Sequence, residues 1–202
     1  MPARNTIKLY DAPAFYHVYN RGIDKRKIFI DDQDYAVFLN IMKRHLDVTP
    51  SFDSFGREYD RFEDILELTA FCLMPNHFHL LIFQDDPEAM TKFMRKIATA
   101  YSVYFNNKYK RSGRLFQGPY RASRITTDSY LIHITRYIHL NPKDYLVWQW
   151  SSLDAFLRKR SISWLHYNRI LTMSPGNYLS FLQDHEDYKS NLKLIRYELA
   201  DS

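Results

Sequence analysis

Residues 64–84 read DILELTAFCLMPNHFHLLIFQ. Two apolar, β-prone runs, 64–74 and 77–84, flank a break at Pro75-Asn76, which is the pattern of a β-hairpin. A hairpin this greasy cannot stand alone in water. It needs further strands beside it and helices over it. The rest of the chain must therefore supply that cover.

It does so in order. AFYHVYNRG (14–22) alternates, is rich in β-formers and ends on Gly22, so it reads as a first strand. In DDQDYAVFLNIMKRHL (31–46), Asp31 and Asp32 offer caps, and Tyr35, Phe38, Leu39, Met42 and Leu46 fall at helical spacing. Residues 47–63 break the pattern and read as a loop. Residues 85–110 open with acids and Pro87. Met90, Phe93, Met94, Ile97, Tyr101, Tyr104 and Phe105 then draw an apolar stripe along a long helix. RSGRLFQGPYRASRI (111–125) is a Gly-punctuated loop followed by an extended segment. Residues 127–142 predict a helix capped at Asp128 and stopped by Pro142.

The order β-α-β-β-α-(β)-α predicts an α+β fold: an antiparallel sheet with helices on one face, of ferredoxin-like character. Residues 1–149 form the expected main domain. Residues 150–202 form a helical C-terminal extension of its core.

His77 and His79 interrupt the greasy hairpin. Alternate residues of a strand share a face, so the two imidazoles point the same way, about 6–7 Å apart at a rise of about 3.3 Å per residue. They can converge on one cation, or each can hold a separate hydrogen bond at the strand's edge. On the helix over 127–141, His133, Tyr137 and Asn141 share one face, while Leu131, Ile134 and Ile138 serve the core. Asn141 also reads as a helix cap before Pro142. His139 faces elsewhere. His17 reads as core or as a supporting position.

Charge adds a partner. The net charge is +5, but residues 91–127 carry nine Lys and Arg and no acid, and the remainder of the chain is net acidic. Such a block is the footprint of a polyanion. Lys92, Arg95, Lys96, Lys108, Lys110, Arg111, Arg114, Arg121 and Arg124 are the candidates, with Arg21 and Arg136 outside the block. Tyr101, Tyr104, Tyr109, Phe116 and Tyr120 are interleaved for base stacking, although several must be core. A single cysteine, Cys72, excludes a disulfide framework and fits a reducing compartment. The N-terminal segment has no apolar signal region, and no run of roughly 18 apolar residues appears. The expectation is a cytoplasmic protein with no membrane partner.

YHVYNRG, AFCLMPNHFHLLI, GRLFQGPYRA and YIHLNP, in this order, resemble the single-tyrosine HUH transposases, the insertion-sequence enzymes and their REP-associated relatives. The resemblance spans residues 14–145, and HFH matches the His-hydrophobic-His motif. It implies an HUH core and a transposase acting on single-stranded or hairpin DNA. Tyr137 would be the nucleophile, forming a 5′-phosphotyrosine link. His77, His79 and Asn141 would hold Mg²⁺, with Mn²⁺ as a substitute. Family members occur as homodimers with swapped tyrosine helices and as monomers acting in cis, and the sequence leaves both open. Two rivals stand beside this expectation. One is a hairpin-binding regulator that does not cut. The other is a hydrolytic nuclease, which would more naturally show a carboxylate cluster.

Overall fold

In the computed structural model, which describes residues 10–184, four strands form one antiparallel sheet. They are β1 (Ala14–Arg21), β2 (Leu66–Met74), β3 (His77–Gln84) and β4 (Arg121–Ile125), in the spatial order β2-β3-β1-β4. The hairpin forms as its pattern indicates, with Met74 opposite His77 at its turn. β1 pairs with β3, so that Tyr19 lies opposite His79 and Arg21 opposite His77.

Strand alternation divides the sheet into two unlike faces. Tyr16, Val18, Phe78, Leu80 and Ile82 point to one side, where they join Phe38, Met42, Phe93 and Ile97 in the larger core. These last residues belong to α1 (Asp32–Leu46) and α2 (Ala89–Lys108). Removing one such ring, as in Phe38→Ala, would cost roughly 3–5 kcal/mol. β2 contributes Leu66 and Leu68, then Phe71 and Leu73, to the same side. That change from even to odd numbers needs the irregularity between Leu68 and Ala70, where one extra residue flips the alternation.

The expectation of helices on one face holds for α1 and α2. A third helix, α3 (Asp128–His139), takes the opposite face. Its Leu131, Ile134 and Ile138 pack with Ala70, Cys72 and Leu81. The reason lies in β2 and β3: both are apolar on their second face too, and that surface also needs cover.

Helix boundaries follow capping chemistry. Asp31 and Asp34 form a reciprocal capping box on α1, as the acidic start suggested. α2 begins at Ala89, after Pro87. Its entry is held by Gln84, whose Oε1 accepts from the Met90 N–H at 3.1 Å. α3 is capped by Thr127 rather than Asp128, with Thr127 Oγ1 accepting from the Tyr130 N–H. It ends at His139, two residues short of Asn141.

Residues from 150 on close the outer edge of β2. Leu73 N–H donates to the Trp150 carbonyl and Ser152 N–H to the Phe71 carbonyl, each at 2.9 Å. His166 N–H donates to the Leu68 carbonyl further along. Those bonds use strand groups that would otherwise stand open as an edge. α4 (Leu153–Phe156) and α5 (Pro175–Gln183) then complete the second core through Phe156, Tyr178 and Leu182. The expected extension beyond 184 lies outside the described residues.

Candidate active site

The second sheet face is apolar beneath α3 and polar beyond it. His17 on β1 and His77 and His79 on β3 all point to this side. The turn before β3 fixes the start of the arrangement. The Pro75 carbonyl accepts from Ile28 N–H and Phe29 N–H, and the Asn76 carbonyl accepts from Gly22 N–H. Gly22 is required there because a Cβ would collide with the Arg26 carbonyl oxygen.

Four side chains meet at the centre. Asn141, just past the end of α3, brings its Oδ1 to 3.0 Å from His77 Nε2 and its Nδ2 to 3.3 Å from His79 Nε2. The two imidazole rings stand 5.0 Å apart and nearly perpendicular. Tyr137 lies edge-on to both His79 and His17, with ring centroids 5.4 and 5.8 Å away. Tyr137 and Asn141 thus meet the histidines as their four-residue spacing suggested, although the helix itself stops between them. His133 does not share that surroundings: its ring packs 5.3 Å from Phe181 of α5.

Burial keeps the imidazoles neutral. Desolvation lowers His17 to about 3 and holds His79 well below its ordinary value, with the His17 and His77 rings adding to the effect on His79. His77 is also lowered by desolvation, against a hydrogen bond to Asn141 that pulls the other way. Neutral rings have lone pairs to offer. His77 stands between two amide oxygens, Asn76 Oδ1 at 2.7 Å from its Nδ1 and Asn141 Oδ1 at 3.0 Å from its Nε2, and a neutral ring has one proton to give. With that proton on Nδ1, His77 Nε2, Asn141 Oδ1 and His79 Nε2 form a donor set of two nitrogens and one oxygen that a cation would satisfy. Among the described residues, no group of three His, Cys, Asp or Glu side chains could hold a metal, so the fit depends on the carboxamide. Cys72 sits opposite His79 in the pairing, but burial pushes its thiol up, away from the thiolate a metal would need.

A cleft of about 690 Å³ opens beside this centre. Tyr19, His77, His79 and Tyr137 line it, together with Arg21, Lys25, Gln117 and Arg121. The loop before β4 braces Arg21 at this cleft. Gln117 N–H donates to the Arg21 carbonyl, Arg21 Nε donates to Gln117 Oε1, and Asn20 Nδ2 donates to the Gly118 carbonyl.

The basic block is dispersed by folding. Arg21 and Arg121 reach the cleft. Lys92, Arg95, Lys96 and Lys108 ride on α2, over the opposite sheet face. Lys92 pairs with Glu88, Lys96 with Asp60, Lys108 with Asp31 and Asp34, and Arg124 with Asp11. Lys110, Arg111 and Arg114 lie in the loop after α2, where Arg111 folds back toward the Phe105 ring. Tyr101 and Phe116 are core, not stacking surfaces. Arg136 is buried rather than offered to phosphate: its guanidinium lies 4.5 Å from the Phe181 ring and donates to the Asp184 carbonyl.

Sequence reasoning missed Asn76, Lys25 and Gln117. The first had a signal, since it precedes His77 in the turn. The others depend on loops whose path no periodicity reveals.

The family model for IS200-like transposases matches residues 15–141, and the chain belongs to that family. No curated protein sequence matches it. Among solved structures it is similar to a REP-associated tyrosine transposase bound to a REP hairpin, at 15% identity and a TM-score of 0.55, covering 87% of this chain and 96% of that one. A putative transposase from Deinococcus radiodurans aligns at 16% identity with a TM-score of 0.38, over 68% and 95% of the two chains. The protein is a transposase with the fold of the first. No described helix is long and apolar enough to cross a membrane.

Proposed function

We propose that this transposase cuts and rejoins single-stranded, hairpin-bearing DNA, with Tyr137 as its nucleophile. The observation that carries the reading is the meeting of Tyr137, His77, His79 and Asn141 at a cleft that Arg21, Lys25 and Arg121 also line. The hairpin held by the similarly folded REP-associated enzyme supports the choice of partner.

In the first step, Tyr137 Oη attacks the scissile phosphorus. An O–P bond forms to the tyrosine, the bond to the 3′ oxygen breaks, and a 5′-phosphotyrosine and a free 3′-hydroxyl result. A 3′-hydroxyl from another strand end then attacks that link and releases the tyrosine. Each step exchanges one phosphate ester for another, so no external energy source is needed. The phenol proton passes to solvent as the bond forms, since among the described residues no carboxylate lines the cleft. His77, His79 and Asn141 would hold Mg²⁺, or Mn²⁺ in its place. The ion, when bound, polarises the scissile phosphate and offsets charge developing on it. Arg21 and Arg121 neutralise flanking phosphates and orient the strand.

The test is covalent trapping. Labelled hairpin oligonucleotides are incubated with the protein and Mg²⁺ or Mn²⁺, then run on a denaturing gel. A label that stays on the wild-type chain, and is lost with Tyr137→Phe or EDTA, is the expected result. Cleavage without an adduct would replace the reading with hydrolysis by water. Retarded DNA with neither would replace it with a non-cutting hairpin regulator.

A further inference from the structure

We infer that His17 is a positioning residue for the cation site: it accepts the Nδ1 proton of His79 and so turns the His79 Nε2 lone pair toward Asn141 and His77. The inference rests on the cation reading above and extends it to a residue outside the H-x-H motif.

His17 Nε2 lies 2.9 Å from His79 Nδ1. The two residues sit on adjacent strands, offset by two residues, since Tyr19 is the residue opposite His79. His17 is fully buried, and its Nδ1 has no hydrogen-bond partner among the described residues. The bond to His79 is therefore the one use the ring makes of its polar atoms. An aliphatic side chain could fill the same space without leaving a buried nitrogen unpaired. Packing alone thus does not account for an imidazole here.

The direction of the bond follows from the next contact. Asn141 Nδ2 can only donate, so His79 Nε2 accepts, and the His79 proton resides on Nδ1. Nδ1–H then donates to His17 Nε2. In the other tautomer His79 would carry its proton on Nε2 and lose its place as a ligand. Ligating histidines characteristically give their second N–H to such an acceptor, which fixes both tautomer and ring angle. His77 has an acceptor of that kind 2.7 Å from its Nδ1, in Asn76 Oδ1. Neighbours also hold the His17 ring: Tyr19 stacks on it at 5.3 Å, and Tyr137 meets it edge-on.

The experiment measures Mn²⁺ affinity of the full chain by the electron paramagnetic resonance of free ion, without DNA. His17→Leu keeps the bulk and removes the acceptor. His17→Gln restores one, with its carbonyl oxygen near the place of Nε2. His77→Ala serves as the reference loss. His17→Leu should weaken Mn²⁺ binding about 10–100-fold, with His17→Gln recovering most of it. Hairpin DNA binding in EDTA should be unchanged in both. Equal Mn²⁺ affinity in His17→Leu and wild type, with His77→Ala impaired, would overturn the inference and leave the cation site standing. Wild type that fails to bind Mn²⁺ would remove the cation reading itself. Should His17→Leu not fold, ¹⁵N imidazole spectra of the wild type with Mg²⁺ decide: a proton on His79 Nδ1 supports the role, and one on Nε2 refutes it.

Discussion

His79 and His139 are both buried histidines whose rings burial holds neutral, yet their surroundings differ in kind. His139 has both nitrogens satisfied, by the Tyr178 hydroxyl at 2.6 Å and by Ser152 Oγ at 2.8 Å. Tyr178 passes its proton on to Thr135 Oγ1, and Ser152 reaches the Phe71 backbone. The circuit joins α3, α5 and β2 and has no opening to the cleft. The His79 circuit is unfinished. It starts at a His17 nitrogen with no partner among the described residues and runs through a long contact to Asn141 at the cleft. A closed polar network specifies packing, whereas an open one beside a basic cleft leaves donors free for a ligand. One helix serves both, with Tyr137 turned to the open network and His139 to the closed one.

The comparison breaks most sharply at Tyr137. Tyr137→Phe should reduce adduct formation to background while hairpin affinity, measured by gel shift in EDTA, stays near wild type. A variant that loses DNA binding as well would give the ring a structural role like that of Tyr178.

Acid should act on both networks through folding. Desolvation lowers His139 to about 3, below its unfolded value of about 6.5. The unfolded chain therefore binds the extra proton first. The neutral ring's contribution is fully present above about pH 6.5 and is lost progressively as pH falls toward 3. One such histidine gives a limiting slope of about 1.4 kcal/mol per pH unit. Chemical denaturation of His139→Gln between pH 4 and 7 should show a shallower slope than wild type by up to that amount. An unchanged slope would mean that His139 is not buried neutral.

Tyr178→Phe removes one hydroxyl from the closed circuit and leaves His139 Nδ1 unpaired. The loss should be roughly 1–3 kcal/mol in unfolding free energy, with adduct formation near wild type while the chain remains folded. Loss of cleavage without loss of stability would show that the closed circuit also positions Tyr137.

The smallest effects separate the basic residues. Arg121→Ala should weaken hairpin binding and lower the steepness of its salt dependence by about one unit, because one phosphate contact is lost. Arg124→Ala, whose charge already meets Asp11, should change the salt dependence less. Fluorescence anisotropy over a salt series measures both, and equal effects would move the DNA track toward the outer edge of β4.

Periodicity made the strands and long helices legible. The apolar stripe of α2 and the alternation of β1 and β3 are local patterns, imposed by geometry that repeats every few residues. The H-x-H pair was legible for the same reason, since alternate strand residues share a face. Helix starts were off by a residue or more where the capping group was Thr127 or Gln84, because only the folded path shows which oxygen reaches a free N–H. Tertiary structure alone decided that α3 crosses the second face and that Asn141 bridges both histidines from beyond its helix. It also decided that much of the basic block is spent on Asp11, Asp31, Asp34, Asp60 and Glu88. Those outcomes depend on residues tens of positions apart meeting in space. Charge and hydrogen-bond partners act over a few ångströms whatever their separation along the chain, whereas a sequence pattern records only neighbours.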